Sequence, residues 1–370
     1  MREYFGEKLK KNNPDVWKEA HSRLYEYYKK TKEFPDTIEE MALLYQAVAH
    51  GCEAGRYQEA LRDVYWHRIL RGDEFFASAK LGALGSLLAV LSAFFDETWR
   101  QPAASLKEDA KAFILDESGF YLHALGRLAE AAQPMKAGLE AQIAQENWEN
   151  ASASVSNLSE LHLTMGNLVQ ALEYAEQSVD LAYRCDDTFR LMAWTNLPDA
   201  LHQTGRQSEA EAAFVEAEEM QKELQSDYPY LYSTPGFRYC DLLLSQRKYQ
   251  DVLGRAKQTI EIAKRNHWLL GIALDHLSLG CAHLLQIRQE GNNDFSNAKT
   301  YLNQAVEGLR QAGHQKFLLL GLLGRAELHR MHPDFPKAQY DLDEAMTIAE
   351  RGSMGLHMAD CHLEYARLYL

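Results

Sequence analysis

LHLTMGNLVQALEYA, residues 161–175, carries an apolar helix end, a glycine at 166 and an alanine five residues later at 171. The same arrangement returns in LHALGRLAEAAQPM (122–135), with Gly126 and Ala131, and in LHQTGRQSEAEAAF (201–214), with Gly205 and Ala210. An earlier copy, AVAHGCEAGRYQEAL (47–61), places Gly55 and Ala60. A later one, LLLSQRKYQDVL (242–253), puts Arg247 and Val252 at the two positions, and two more reach Ala298 and Ala338 after longer loops. From Ala131 to Ala338 the successive spacings are 40, 39, 42, 46 and 40 residues. Self-similarity at such a period marks an array of supersecondary units, and about forty residues make two helices and two turns.

The second helix of each pair repeats small or apolar residues at helical spacing: Ala171, Ala175, Ser178, Leu181; Ala210, Phe214, Ala217; Ala298, Leu302, Ala305; Ala338, Leu342, Ala345. One face packs, and small side chains there let a neighbouring helix approach closely. The glycine ahead of it takes the left-handed conformation that ends the first helix. A single hairpin cannot bury its own apolar face, so the units must stack. The expected fold class is all-α.

The unit Leu197-Pro198-Asp199-Ala200-Leu201, with Gly205, Ala210, Phe214 and Ala217, resembles the tetratricopeptide repeat (TPR). The resemblance implies a right-handed superhelical solenoid over residues 38–370, about seven hairpins and a truncated last one. The period exceeds the family's usual 34 and is similar to the long-helix units of kinesin light chains and maltotriose-responsive regulators. Two places break it. Ala60 to Ala131 is 71 residues, where a degenerate unit is expected, and the polar stretch QEGNNDFSN (289–297) lengthens one turn.

Residues 1–37 do not follow the repeat. REYFGEKL (2–9) and WKEAHSRLYEYY (17–28) resemble the segment that leaves the winged-helix part of bacterial STAND ATPases with NACHT or NB-ARC modules. The likeness continues through DTIEEMALLYQAVAHGCEAGRYQEAL (36–61), YWHRILRG (65–72) and SNLSELHLTMGNLVQALEYAEQSVDLA (156–182). It implies that residues 1–37 are the tail of an upstream winged-helix or linker segment, and that a nucleotide-binding module precedes them. MADCHLEYARLYL (358–370) reads as the first helix of another hairpin with no second helix after it, so the chain is expected to be part of a larger protein.

Composition narrows the function. The 370 residues include 39 Lys and Arg against 53 Asp and Glu, a formal charge of −14. Such an excess argues against nucleic acid and anionic membrane surfaces, which are held by clustered Lys and Arg. No run approaches the roughly 18 apolar residues of a membrane span, and the first residues lack a signal peptide's apolar centre. A cytoplasmic location is expected. Five scattered cysteines, without a CxxC pair, read as reduced and mostly buried thiols. The 14 histidines show neither HExxH nor zinc-type spacing. GxxxxGK[ST], GxSxG and GxGxxG do not occur either. No enzymatic activity, metal or cofactor is expected.

In TPR solenoids the first helices line the concave surface. The spacing from Gly166, Gly205 and Arg247 puts Asn157, Asn196 and Arg238 at equivalent points of three successive first helices, and Glu160, Asp199 and Asp241 in a parallel acidic row. Peptide-holding TPR proteins use Asn at this point to bond a peptide backbone, since an amide offers donor and acceptor, and Arg238 would grip a carboxylate with two N–H groups. The lysines of the chaperone-tail clamp are absent, with Ser156 and Thr234 in their places. Trp194 and His202 lie near the same groove. Alternatively, Asn157 and Asn196 bond within the hairpins and Arg238 pairs with Asp199 or Asp241 as a structural ladder. YPYLYSTPGFRYC (228–240) is either a tyrosine-rich recognition surface or the packing of a long loop.

Two functions fit. One is a sensor module of a STAND-type ATPase, binding a protein or peptide trigger or a small molecule and reporting to the nucleotide switch. The other is a free-standing scaffold for assembling proteins. A repeat-containing transcription regulator fits poorly, for want of a basic recognition helix.

Overall fold

The computed structural model describes residues 2–185, 187–291 and 293–370. It opens with α1 (Arg2–Asn12), α2 (Pro14–Tyr28), α3 (Ile38–Glu53) and α4 (Tyr57–Glu59), which runs without a break into a π-helix, Ala60–Leu70. Two short helices follow, α5 (Phe76–Ala79) and α6 (Leu84–Leu91), then a small antiparallel pair, β1 (Phe95–Glu97) and β2 (Gln101–Pro102). These fill the long interval between Ala60 and Ala131.

Six regular hairpins come next: α7 (Glu108–Ala124) with α8 (Leu128–Ala144), α9 (Trp148–Thr164) with α10 (Leu168–Ala182), and α11 (Asp187–Gln203) with α12 (Gln207–Leu224). The others are α13 (Ser233–Ser245) with α14 (Tyr249–Asn266), α15 (Leu269–Glu290) with α16 (Ser296–Ala312), and α17 (Gln315–Met331) with α18 (Phe335–Gly352). Helix α19 (Gly355–Tyr369) follows them. The array is an all-α, right-handed superhelical solenoid of TPR-like hairpins.

The turns show why these residues make hairpins. At Gly166 φ is +85°, its N–H bonds the Leu163 carbonyl at 2.9 Å, and the next N–H, of Asn167, reaches back to His162 at 2.9 Å. This paired bonding satisfies carbonyls that a helix end leaves open. Arg247 adopts the same left-handed geometry, φ +62°, with bonds from Arg247 to Leu244 and from Lys248 to Leu243. The alanine position is equally consistent: Ala131, Ala171, Ala210, Val252 and Ala298 have no exposure and Ala338 has 1%. Close approach also allows a buried hydroxyl set, in which Ser152, Ser156 and Ser178 exchange bonds between α9 and α10.

Helix α2 and the loop after it pack on α3 and the π-helix. Tyr25 is fully buried beside Gly51 and Ala60, and the Arg68 guanidinium donates to the carbonyls of Lys29, Thr31, Lys32 and Glu33 at 2.8–3.0 Å. Apolar burial is divided unevenly. One core joins buried residues from Tyr25 to Leu161 with others from Ala273 to Cys361, whereas Leu201 to Ala282 supply a second, middle core. The two ends of the superhelix therefore meet. Helix α15 is long and apolar enough to cross a membrane by composition, but 61% of its apolar window is buried inside the array.

Candidate functional site

Counting back eleven residues from the alanine position lands on Glu160, Asp199 and Asp241, one each on α9, α11 and α13, and again on Glu327 of α17. Repetition of the hairpin turns this sequence row into a spatial row across successive first helices, with Glu160 and Asp199 both reaching Arg238. Asn157, Asn196 and Arg238 stand three residues earlier, nearly one turn away on the same face.

Arg238 is the hub. It is 6% exposed; its Nη2 lies 2.7 Å from Glu160 Oε2, its Nε 3.1 Å from Asp199 Oδ2, and its Nη1 donates to Asn196 Oδ1. A second buried cation, Lys316 of α17, donates from Nζ to the other Glu160 oxygen at 3.0 Å. Two carboxylates and two cations thus neutralise one another in a largely covered place. Desolvating each ion costs several kcal/mol, which only multiple close partners offset, so such a cluster fixes the arrangement of helices more than it stabilises the fold. Burial alone would raise the Glu160 carboxyl, but Arg238, Lys316 and His123 outweigh it and hold the group well below its ordinary range. Burial would lower Arg238, and Glu160 and Asp199 reverse that.

Three histidines line the same region, His123 and His357 buried and His314 half-buried. Burial, assisted by Lys316, pushes His123 and His314 down to about 4, and His357 is lowered for the same first reason. His123 and His314 are therefore neutral at neutral pH, and the cluster gains no further positive charge.

Asp241 does not pair with Arg238. Its Oδ2 faces His202 Nδ1 at 3.6 Å, and 47% of its side chain stays open. The protein packed around this half-open carboxyl raises its pKa, with Asp199 and Asp360 adding to the effect and His202 opposing it. Asp360 of α19, beside His357 at 3.3 Å, is 49% open. Asn157 is half-buried on α9. Trp194 packs among apolar residues of the middle helices, with Leu197 beside it. The structure thus gathers Glu160, Asn196, Asp199 and Arg238 into one cluster, sets Asp241 and His202 beside it, and puts Trp194 into packing. Lys316, His123, His314, His357 and Asp360 escaped the sequence reading. Lys316, His314, His357 and Asp360 enter the site only because the superhelix closes, whereas His123 comes from α7, in the hairpin before α9, where its ring lies 3.5 Å from the Thr164 hydroxyl; Glu327, by contrast, was reachable from the eleven-residue spacing.

The tyrosine-rich segment packs a loop. Tyr230 and Tyr239 lie over the Arg255 guanidinium at 4.7 and 4.3 Å, and Arg255 makes a two-pronged pair with Glu218. Tyr239 stacks on Phe214, and Tyr232 on Trp268. Cys52, Cys240 and Cys361 are buried and free, and burial pushes the Cys240 and Cys361 thiols up to about 12. Among the described residues, no group of three or more His, Cys, Asp or Glu is placed to hold a metal ion.

No protein-family model matches the sequence, and no curated protein matches it. Similarity is found among solved structures. A Rap protein complexed with competence and sporulation factor aligns over 99% of this chain and 95% of its own, at 14% identity and a TM-score of 0.50. The Rap conjugation gene regulator of plasmid pLS20, in complex with the Phr* peptide, aligns over 91% of this chain and 98% of its own, at 12% identity and a TM-score of 0.42. The first likeness is one of fold, and it runs through nearly the whole length of both chains.

Proposed function

We propose that this chain is a non-catalytic binding solenoid whose concave channel takes a protein or peptide. The observation that carries this is the contrast in exposure along the inner face. Arg238 and Glu160 are engaged and covered, at 7% and 19% of their side chains, while Asp241 and Asp360 keep nearly half of theirs open on facing helices. A guest segment with a basic side chain would meet these two carboxylates, and the half-buried Asn157 amide of α9 can serve a backbone as donor and acceptor. The Rap structure that shares the fold holds a bound factor, which supports the same use of the array.

The test is photo-crosslinking from the inner and outer faces. A photoreactive residue at 157 or 241 should capture a partner that the same residue at the exposed, outer Glu219 does not. Capture only from Glu219, or equal capture from both faces, would overturn the reading.

On the resemblance of residues 2–28, 36–61 and 156–182, we further read the solenoid as the sensor region of a cytoplasmic STAND-type ATPase, reporting occupancy to a nucleotide-binding module upstream. That role requires the ligand to bind more tightly to one nucleotide state than to the other. Equal affinity for both states of the parent protein would favour the free-standing scaffold instead.

A further inference from the structure

The ends of the array interleave. The turn between α16 and α17 sits between the turn at Gly82 and the α7–α8 turn at Gly126; the turn between α18 and α19 sits between Gly126 and the α9–α10 turn at Gly166. At each meeting a glycine from the early hairpins faces one from the late hairpins: Gly82 with Gly313, Gly126 with Gly352, Gly166 with Gly355. The fit is backbone against backbone. A Cβ at Gly355 would lie 2.5 Å from the Met165 carbonyl oxygen, and one at Gly352 would lie 3.0 Å from that of Gly126. Side chains cross the line as well: Gln315 and buried Met354 against Gly126, Leu84 against Gly313, the Phe120 and His314 rings at 6.1 Å, and the Lys316–Glu160 pair at 3.0 Å, so that part of the apolar core is shared between the arms.

The large helix–helix contacts of the array join the same or adjacent units, and in such arrays each unit draws its stability from the units beside it. The interleaved line is different, because its two sides lie more than 150 residues apart in the chain.

We propose that this glycine-lined seam is a latch: the early and late arms of the superhelix separate there as rigid bodies, and the Lys316–Glu160 pair holds them shut. Opening uncovers the Glu160–Arg238–Lys316 cluster, which the closed form hides. The latch stands whether or not the channel takes a peptide.

Gly355→Leu is the wedge. Residue 355 begins α19 without a positive φ, so leucine meets obstruction only across the seam. Lys316→Met removes the bridging cation while filling its space. In each variant of the whole chain, small-angle scattering should show a radius of gyration larger than the native value, which for a compact chain of this length is near ~21 Å. Hydrogen exchange should rise together at 311–315, 352–356 and the turns at 82, 126 and 166, with α12, α13 and α14 unchanged. An unchanged radius in both variants would overturn the latch, as would loss of protection throughout the array, since the seam would then belong to one indivisible fold.

Discussion

Replacing Arg238 with methionine removes the cation that Glu160 and Asp199 share and leaves both carboxylates in place, with Asp199 still 7% exposed. Breaking a buried pair by deleting one partner costs about 3–5 kcal/mol, because the remaining charge is stranded away from water. Unfolding entropy near 2.1 cal/mol/K per residue makes each kcal/mol worth roughly 1.3 °C in a chain of this size, so the expected fall in Tm is about 4–6 °C. The pH dependence adds a second requirement. Glu160 is held below its ordinary range in the folded chain, so its contribution is complete above the unfolded value of about 4.3 and is lost as pH falls towards the folded one. The variant has already lost most of that contribution. Circular-dichroism melts at neutral pH and near pH ~4 should therefore show the gap between the two proteins narrowing on acidification. Adding Asp199→Asn to the variant should recover part of the loss at neutral pH. A fall below about 1 °C at neutral pH, or a gap that ignores pH, would refute the hub and return Arg238 to the pool of groups free to hold a ligand.

Arg247→Gly should stabilise the chain by about 0.5–1 kcal/mol, read as a higher urea midpoint, because a left-handed φ of +62° costs a side-chain-bearing residue more than glycine's freedom costs the folded state. Burial pushes Asp275, which accepts a hydrogen bond from Thr259, up to about 7. A carboxyl raised in the folded chain stabilises fully below its unfolded value and loses that contribution as pH rises through the folded one. Asp275→Asn should therefore gain at least ~1 kcal/mol over the native chain at mildly alkaline pH, and the gain should vanish in acid. Arg255→Lys gives up the two-pronged bond to Glu218 and the planar stacking between Tyr230 and Tyr239. It should cost about 1–2 kcal/mol and speed hydrogen exchange first at residues 228–232; uniform change along the chain would show that the loop is not what Arg255 holds.

Local chemistry made the hairpins legible. Gly166 and its counterparts end first helices because a left-handed residue closes the turn, and Ala171 and its counterparts are small because the paired helices approach closely in the first turn of the second helix. Both demands recur with every unit, so they survive as a spacing even where Arg247 and Val252 replace them. The acidic row was legible for the same reason. Its partners were not: Lys316 reaches Glu160 across 156 residues, and no periodic signal announces that a superhelix will meet itself. Arg238 shows the limit within a single row, since the repeat placed it beside Asp199 but gave no means of choosing between Asp241 and Glu160. Residues 71–107 hid their short helices and β-hairpin because they follow no period at all.

The division of the apolar interior has a temporal consequence. Residues from Leu201 to Ala282 close a core of their own as soon as they are made. The early helices share theirs with residues as late as Cys361, about 200 positions after Leu161. At the ~5–20 residues per second of a ribosome, the first hairpins wait about 10–40 s with part of their greasy surface uncovered. The nascent chain thus carries a sticky front end behind an already folded middle, and it is there that a chaperone would find its grip.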